Sequence, residues 1–512
     1  MKDQFRQSMA WLHTWLGVLS GWVLYFMFVT GTAGYLDTEI DRWMRPELPA
    51  AQWPLSQDAA IGQAHDFLQA QAGDAQRWTI TLPLDRNDPF LQVSWRGTAS
   101  GSAWLDPHTG QRMAVRDTGG GQWLYQLHWR LHYLPARLAE WIVGAATMAL
   151  LVALVTGVVA HRRLFADFFT FRPGKGQRSW LDAHNLVSVV SLPFQFMIAY
   201  SGLVFVMFSF TPLIVVAWFG SGERGQRDFM DGMFPPLAPA AAAGRPAPLL
   251  SLPALVQDAQ LRIAGAPVAT IDIQNPGYAH ARVLVAGSFA AGPVRTTDLL
   301  VYDGVSGELL AHRPAVQSGP RTFRDLMLGL HEGLFAGPLL RALYVLSGAL
   351  GCAMIATGLV LWTVKRRQRV ELGRALPHAG LRLVERLNVA VVAGLVVAVA
   401  AYFWANRLIP AALPGRAALE QQTMFCAWAA TFLHAVLRRP ARAWVEQWAF
   451  AGLALALLPL LNAATGGLSM PRALAAGDWA LGGFDATALL AGTLLMVTAV
   501  SLHRRADQAV PC

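Results

Sequence analysis

Residues 138–210 read LAEWIVGAATMALLVALVTGVVAHRRLFADFFTFRPGKGQRSWLDAHNLVSVVSLPFQFMIAYSGLVFVMFSF, and this stretch holds the pattern that decides the fold. Two apolar runs, at about 138–160 and 181–210, flank a loop that carries Arg172, Lys175 and Arg178. About 20 apolar residues cross roughly 30 Å of hydrocarbon, and both runs reach that length. Basic loops stay on the cytoplasmic side of a membrane. The stretch therefore predicts two membrane spans joined by a cytoplasmic loop.

Six further apolar runs extend this pattern over the chain. They lie at about 11–36, 339–364, 388–403, 424–437, 448–463 and 486–502. Eight spans with both termini inside would place every Lys/Arg cluster in the cytoplasm. These clusters are at Lys2 and Arg6, and at 162–178, 365–386, 438–442 and 504–505. The first run is too long for the core of a signal peptide, so we expect it to be retained as an anchor.

Composition supports the membrane class and argues against other classes. The chain is 54% hydrophobic and 14% charged, whereas about a quarter of the residues in a soluble domain are charged. The net charge of +9 is divided among several loops, so there is no single basic face for a nucleic acid. The pattern of Cys352, Cys426 and Cys512 indicates no disulfide framework, and no Cys-x-x-Cys-His motif for c-type haem occurs.

Two polar segments, at about 37–121 and 221–324, interrupt the spans. Each predicts a helix, at about 59–72 and 254–264, followed by stretches that alternate as half-buried strands do. Both segments would lie on the side of the membrane opposite the basic loops. The sequence therefore predicts two α+β domains outside the cytoplasm.

The first 370 residues contain an internal repeat, which has the order span, outer domain, span. With an offset of 171 residues, His13 falls on His184. The other matched positions are Thr-Gly 30–31 with Ser-Gly 201–202, the turns at 105–110 and 302–307, Thr-Gly 156–157 with 357–358, and, after an insertion of about two residues, Leu-His 131–132 with 330–331. Both halves would start in the cytoplasm, so the repeat is parallel and its axis stands along the membrane normal.

Histidines gather at the ends of the predicted spans. Eight of the thirteen lie there or in the segment leading into a span: His13, His128, His132, His161, His184, His331, His434 and His503. Haem b needs axial imidazoles, and room for its flat ring needs small residues four and seven positions after a helical histidine. Such residues follow three of them: Gly17, Ser20 and Gly21 after His13, Ser188 and Ser191 after His184, and Ala136 and Ala139 after His132. Helix-end histidines also reach lipid headgroups or cap carbonyls, but the pairs matched across the repeat favour a functional role.

The spacing of the histidines predicts two layers of haem. His132 and His161 are 29 residues apart, which is about 43 Å in a helix, so one haem cannot contact both. His132 and His331 form the predicted outer pair, with His128 as a weaker candidate. The inner pair comes from His13, His161 and His184, and the sequence does not choose among them. A zinc or copper transporter is the rival interpretation, but it would need carboxylates or thiolates in mid-span, and the first four spans have few.

Several motifs resemble those of the PepSY-associated transmembrane family. They are the stretch from His161 to Asn185, the segments LHEGLFAG (330–337) and TGLVLWTVKRR (357–367), and WLHTWLG (11–17) around His13. The resemblance covers about residues 5–370. It implies the following division: first span 1–36, PepSY-like periplasmic domain 37–125, second span 126–164, cytoplasmic loop 165–179, third span 180–212, second PepSY-like domain 213–325, fourth span 326–367, cytoplasmic linker 368–387 and C-terminal four-span bundle 388–512.

The resemblance also implies a function. Some family members are iron-regulated, di-haem reductases of ferric siderophores in the bacterial inner membrane, and they release Fe(II) in the periplasm. The expectation is a protein with two b-type haems that takes electrons from a cytoplasmic flavoprotein or from quinol. The chain shows no flavin or nicotinamide fingerprint of its own. Arg172, Lys175 and Arg178 are candidates for contact with haem propionates, an electron donor or lipid phosphates, beside the plain interpretation of a positive-inside loop.

Two other functions remain open at this point. Isolated PepSY domains are associated with the restraint of proteases, so the chain could be a non-catalytic regulator that tethers a periplasmic partner. A transporter could also be built on the parallel repeat, although transport would need polar residues at mid-membrane. Bound haem distinguishes the reductase from both.

Overall fold

The computed structural model describes residues 2–49, 56–84, 89–161, 168, 170–210, 212–233, 244–263, 266–316, 319–376 and 378–508. Arg162, Arg163 and Cys512 therefore lie outside the described residues. The chain separates into two units. The helical unit consists of Met1–Pro46, Arg116–Val206 and Pro338–Cys512, and the sheet unit consists of Glu47–Val115 and Met207–Gly337.

Helices account for most of the described residues. In chain order they are α1 (Lys2–Gly34), α2 (Asp37–Met44), α3 (Gln57–Ala72), α4 (Gly120–Arg130), α5 (Ala136–Ala160), α6 (Gln177–Phe205), α7 (Met207–Phe210), α8 (Pro212–Phe219), α9 (Gly222–Met233), α10 (Leu252–Arg262), α11 (Gly319–Glu332), α12 (Pro338–Glu371), α13 (Ala379–Asn388), α14 (Gly394–Leu408), α15 (Arg416–Leu437), α16 (Pro440–Ala456), α17 (Leu458–Ala464), α18 (Met470–Ala475) and α19 (Trp479–Gln508). A π-helical turn, Val389–Ala393, joins α13 to α14.

Seven segments of the described residues are long and apolar enough to cross a membrane. They are Gln4–Gly34, Ala136–Ala160, Gln177–Phe205, Pro338–Glu371, Ala379–Leu408, Pro440–Ala464 and Trp479–Arg504. Each overlaps an apolar run of the sequence, so the prediction of a polytopic membrane protein is confirmed.

The predicted eighth span, at 424–437, is not apolar enough to count among these segments. It lies in α15, a helix of 22 residues, which is about 33 Å long and therefore long enough to cross. Its first two turns carry Arg416 and Glu420, and these charges lower its hydropathy. The described residues thus contain seven candidate spans by length and composition, not eight.

Small residues allow the first helices of the helical unit to approach closely. A Cβ at Gly21 of α1 would lie 2.8 Å from the Leu359 side chain of α12. A Cβ at Gly348 of α12 would meet Thr32 of α1 in the same way. Membrane helices associate through such close contacts because lipid supplies no hydrophobic force between them.

A sharp break separates α4 from α5. Leu131 and His132 have φ values of 49° and 37°, which is the left-handed region that non-glycine residues seldom adopt. The expectation that His132 lies on a continuous helix with Ala136 and Ala139 four and seven residues on is therefore wrong. His132 sits in the turn between two helices, and α5 begins only at Ala136.

Both polar segments contribute to one sheet. Its strands are β1 (Arg77–Thr81), β2 (Leu91–Arg96), β3 (Gly101–Leu105), β4 (Arg112–Met113), β5 (Val268–Gln274), β6 (Arg282–Gly287), β7 (Leu299–Asp303) and β8 (Leu309–Arg313). The order is β4-β3-β2-β1-β5-β6-β7-β8, and every neighbouring pair is antiparallel. The predicted strands are present, but the two predicted domains share a single sheet through the β1–β5 pair.

The sheet core shows why the two halves join. Trp78 of β1 pairs with Ile273 of β5, and Ile80 pairs with Ile271. All four side chains are fully buried, so the joint between the two halves lies within one apolar core. On the opposite face, the Arg77 Nε lies 2.7 Å from the Asp272 Oδ2 and forms an ion pair across the same strands.

Candidate functional site

Two histidines lie close together inside the helical unit. His13 lies on α1 and His184 lies on α6, and their ring centroids are 6.2 Å apart at an interplanar angle of 63°. The sequence left the inner pair open among His13, His161 and His184. The structure brings His13 and His184 together, which is the pair related by the offset of 171.

A backbone carbonyl holds each of these rings. The His13 Nδ1 lies 2.8 Å from the Ala153 carbonyl oxygen of α5. The His184 Nδ1 lies 2.9 Å from the Met354 carbonyl oxygen of α12. A carbonyl oxygen only accepts, so each Nδ1 carries the proton and each Nε2 keeps a free lone pair. Histidines that ligate metals are commonly held in this way.

Two glycines make room for the rings. A Cβ at Gly157 would lie 3.0 Å from the His13 Cε1, and a Cβ at Gly358 would lie 3.1 Å from the His184 Cε1. The two glycines are 201 residues apart in the sequence, as are the carbonyl acceptors Ala153 and Met354. The glycines of the two Thr-Gly pairs that match across the sequence repeat therefore lie beside the matched histidines.

The two rings line a cavity of about 450 Å³, within the range of pockets that bind cofactors. Its apolar wall includes Leu150, Leu154, Leu192, Ile355 and Leu359, and its small residues are Gly17, Ser20, Gly21, Gly157, Ser188 and Gly358. Two buried polar atoms of this lining, the Ser188 Oγ and the Trp362 Nε1, have no hydrogen-bond partner among the described residues. Unsatisfied buried donors of this kind suit a polar group of a bound molecule.

One end of the cavity is basic. Lys365, Arg366 and Arg369 of α12 line it together with Trp362. Spacings of three, four and seven residues from Trp362 place the three cations on one face of α12. The Arg366 guanidinium carbon lies 3.5 Å from the Trp362 ring centroid, a cation–π contact. The sequence analysis placed these cations only in a basic cluster and not at a cofactor site, although their spacing predicts that they share one face of the helix.

The loop cations Arg172, Lys175 and Arg178 are not part of this basic end. Arg172 forms a two-pronged ion pair with Asp182, with Nε to Oδ2 and Nη2 to Oδ1 both at 2.8 Å. The guanidinium thereby fixes the loop to the start of α6. Neither Lys175 nor Arg178 is among the residues that line the cavity.

His161 also lines the cavity but is engaged differently. It lies at the C-terminal end of α5, and its Nε2 is 2.8 Å from the Asn185 Nδ2. The amide nitrogen donates this bond, so the His161 Nε2 lone pair is already used. Among the three inner histidines, His13 and His184 are the two with a free Nε2.

The outer histidines of the helical unit also differ from each other. The His128 Nδ1 donates to the Tyr125 carbonyl oxygen, and its ring packs against Gly31 of α1. The His132 Nδ1 instead accepts from the Trp123 Nε1, at 3.2 Å, so its proton sits on Nε2. Burial lowers the pKa of His128 to about 4 and also lowers the pKa of His132, so both rings are neutral near pH 7.

The remaining histidines lie elsewhere. His331 is in the last turn of α11, in the sheet unit, and is half-buried. The His434 Nε2 lies 2.7 Å from the Glu446 carboxylate, at the end of α15. Within the described ranges, no group of three or more His, Cys, Asp or Glu side chains is arranged to hold a metal ion.

The fold and the cavity define a polytopic membrane protein in which His13 and His184, on two different helices, lie close together beside a cavity. The model of the PepSY-associated TM region matches residues 10–365, and the chain belongs to this family. A protein of Pseudomonas aeruginosa without a characterised function is 28% identical over 335 residues, which covers 64% of this chain and 76% of that protein. The matched region of the family includes every residue that lines the cavity except Arg366 and Arg369.

Proposed function

We propose that the chain is a transmembrane haem b oxidoreductase that passes electrons from the cytoplasmic side to a ferric chelate outside. The observation that carries this proposal is the pair formed by His13 and His184. Each has its Nδ1 bonded to a backbone carbonyl and its Nε2 free beside a cavity. This is the ligand state that iron requires of an axial imidazole.

The residues fit an inner b-type haem. The ring centroids of His13 and His184 lie 6.2 Å apart, and both rings line the cavity. His13 and His184 would supply the axial nitrogens, and Lys365, Arg366 and Arg369 would pair with carboxylates at the basic end. Haem supplies reversible one-electron chemistry when bound. The protein orients the two imidazoles, keeps them neutral and excludes water with an apolar wall.

The sequence repeat supports the proposal of a second, outer haem. With an offset of 203 residues, Leu-His 127–128 falls on Leu-His 330–331, and Pro135 falls on Pro338 without a gap. His128 and His331 each lie in the last turn of their helix. We therefore propose His128, rather than His132, as the outer haem ligand of the helical unit. Two haems in series would connect the faces of the membrane.

The proposed orientation follows the basic clusters. If α15 is counted as an eighth span, all of these clusters fall on one side, together with the basic end of the cavity. That side is then the cytoplasm of a bacterial inner-membrane protein, with both termini inside and the sheet unit in the periplasm. A cytoplasmic flavoprotein or membrane quinol would supply electrons, because the chain has no flavin or nicotinamide fingerprint.

The substrate proposed from the family resemblance is a ferric siderophore. Hard oxygen donors hold Fe(III) far more tightly than Fe(II), so a one-electron reduction releases the iron. No proton or atom transfer to the chelate is required for that release. The regulator and transporter alternatives share the fold but need no haem.

The first experiment is an absorption spectrum of the detergent-purified protein, oxidised and then reduced with dithionite, together with a pyridine haemochrome assay. We expect a b-type α band and about two haems per chain. Protein that is folded but free of haem, even when expressed with ample haem supply, would overturn the proposal and favour a regulator.

A second prediction separates the two outer histidines. His128→Ala should remove the outer low-spin haem, because the Nδ1 of this ring donates to the Tyr125 carbonyl oxygen and its Nε2 therefore carries the lone pair. His132→Gln should leave the haem content unchanged, because its imidazole is bonded to Trp123 through Nδ1. Haem content and the reduced α band of both variants are the measurements. Loss of haem in the His132 variant with retention in the His128 variant would reverse the assignment.

A further inference from the structure

The C-terminal helices contact the first span beside the cavity through one buried amide. The Trp22 Nε1 of α1 donates to the Asn388 Oδ1 at 2.9 Å. The Asn388 Nδ2 donates to the Leu359 carbonyl oxygen of α12 at 3.0 Å. Asn388 ends α13 and is 1% exposed. A single side chain thus joins α1 to α12 from outside the four helices that hold the histidines.

This amide lies at one of the close contacts between α1 and α12. Gly21, which precedes Trp22, packs on the Leu359 side chain, and a Cβ there would lie 2.8 Å from it. Leu359 follows Gly358, the glycine that makes room for His184. Both hydrogen bonds of Asn388 therefore end one residue from a contact that shapes the cavity.

The helices that carry the two histidines and bond to them also meet at this contact. His13 is carried by α1 and held by α5, whereas His184 is carried by α6 and held by α12. The α1–α12 contact joins the helix that carries His13 to the helix whose carbonyl binds His184. The distance between the two rings thus depends on how firmly α1 and α12 are fixed to each other.

The π-helical turn after Asn388 makes separate contacts with α1 and α15. Two of its five fully buried residues accept side-chain hydrogen bonds: the Val392 carbonyl oxygen from the Tyr25 hydroxyl at 3.1 Å, and the Ala390 carbonyl oxygen from the Trp428 Nε1 at 3.0 Å. Phe26 of α1 stacks on Trp428 of α15, with centroids 5.3 Å apart. Such π-turns are rare and often occur at functional sites.

We propose that the C-terminal helices are a clamp that sets the separation of His13 and His184, and that Asn388 is the positioning residue of this clamp. The proposal rests on the proposed function for its haem readout, but not for its helix geometry. It assigns a role to the segment from 379 onward, which lies beyond the matched region of the family.

The test compares Asn388→Leu with Tyr25→Phe. The leucine matches the branching and the number of side-chain heavy atoms of the asparagine but loses both hydrogen bonds, so this side chain no longer ties α1 to α12. The phenylalanine removes one hydrogen bond between α1 and the π-helical turn but leaves both hydrogen bonds of Asn388 in place, which makes it a matched control. The first readout is carbon monoxide binding to the reduced holoprotein, because an iron with two firm axial imidazoles leaves no free position. We expect several-fold more binding in Asn388→Leu and wild-type binding in Tyr25→Phe.

The second readout needs no haem. Spin labels are attached at positions 11 and 372, in a background without the native cysteines; Trp11 and Leu372 are both exposed. The label on α1 and the label next to the end of α12 should show a broader distance distribution in Asn388→Leu than in wild type or Tyr25→Phe. Equal distributions and equal carbon monoxide binding in all three proteins would overturn the clamp. Haem-free wild type with a broadened Asn388→Leu distribution would instead overturn the proposed function and leave the clamp standing.

Discussion

Replacing His13 or His184 by alanine is expected to remove about half of the low-spin α-band amplitude of the reduced protein, because each variant takes one of two axial nitrogens from one of two haems. The protein should still fold. The His13 imidazole is bonded to a carbonyl of a neighbouring helix, and the His184 imidazole to a carbonyl and to the Thr357 hydroxyl. The loss of one such bond costs about 1 kcal/mol. The measurements are the reduced spectrum and haem content per chain.

His434→Ala is the matched control for these variants, because His434 pairs with Glu446 away from the cavity. It should retain the full haem content. A full low-spin band in both the His13 and His184 variants would contradict the inner pair.

Filling the cavity tests the same site without touching a histidine. A Cβ at Gly17 would meet no atom within 4 Å, and Gly17 lines the cavity. Gly17→Leu should therefore fold well, since leucine also favours a helix by up to about 1 kcal/mol over glycine. It should bind the inner haem no better than His13→Ala does. Gly483→Leu on α19, also without a neighbour within 4 Å, is the control that should keep its haem.

The spans and the family could be predicted from the sequence because both depend on local patterns. An apolar run of about 20 residues has few alternatives to a membrane helix. The offset that aligns His13 with His184 also aligns small residues on both helices. Those short-range signals led to the pair that the structure brings together, although they did not exclude His161.

The rest of the site depends on contacts that no local pattern specifies. The carbonyls of Ala153 and Met354 decide which ring nitrogen carries the proton, and every backbone offers such carbonyls. Arg172 was a candidate for contact with a haem propionate, an electron donor or a lipid phosphate, but its guanidinium forms an ion pair with Asp182, ten residues later. The left-handed turn at Leu131 and His132 breaks a pattern that otherwise predicts a continuous helix. The pairing of β1 with β5 joins segments almost 200 residues apart, so the single sheet was not predicted.

Removing Arg416 is expected to destabilise the helical unit strongly. Arg416 and Glu420 are both fully buried on α15, with the Arg416 Nη1 2.8 Å from the Glu420 Oε1. The guanidinium also donates to the carbonyl oxygens of Asp117 and Asn406, both at 2.6 Å. Arg416→Met would leave Glu420 buried without its cation, and breaking a buried pair in this way costs about 3–5 kcal/mol. Thermal unfolding in detergent should show a much lower Tm.

The double variant Arg416→Met/Glu420→Gln removes both charges and should recover much of this loss. The single amide oxygen of the glutamine can still accept from Thr118 or from Asn406, which bond to different carboxylate oxygens of Glu420 in the native protein. Arg224→Met is a control at the same spacing, because Arg224 and Asp228 are exposed and 4.0 Å apart, and such pairs contribute at most about 1 kcal/mol. Equal effects of the Arg416 and Arg224 variants would mean that α15 is not held by its buried charges. A large effect confined to Arg416, with rescue by the second change, would show that these charges fasten α15 to the segment before α4, at the opposite end of α15 from His434.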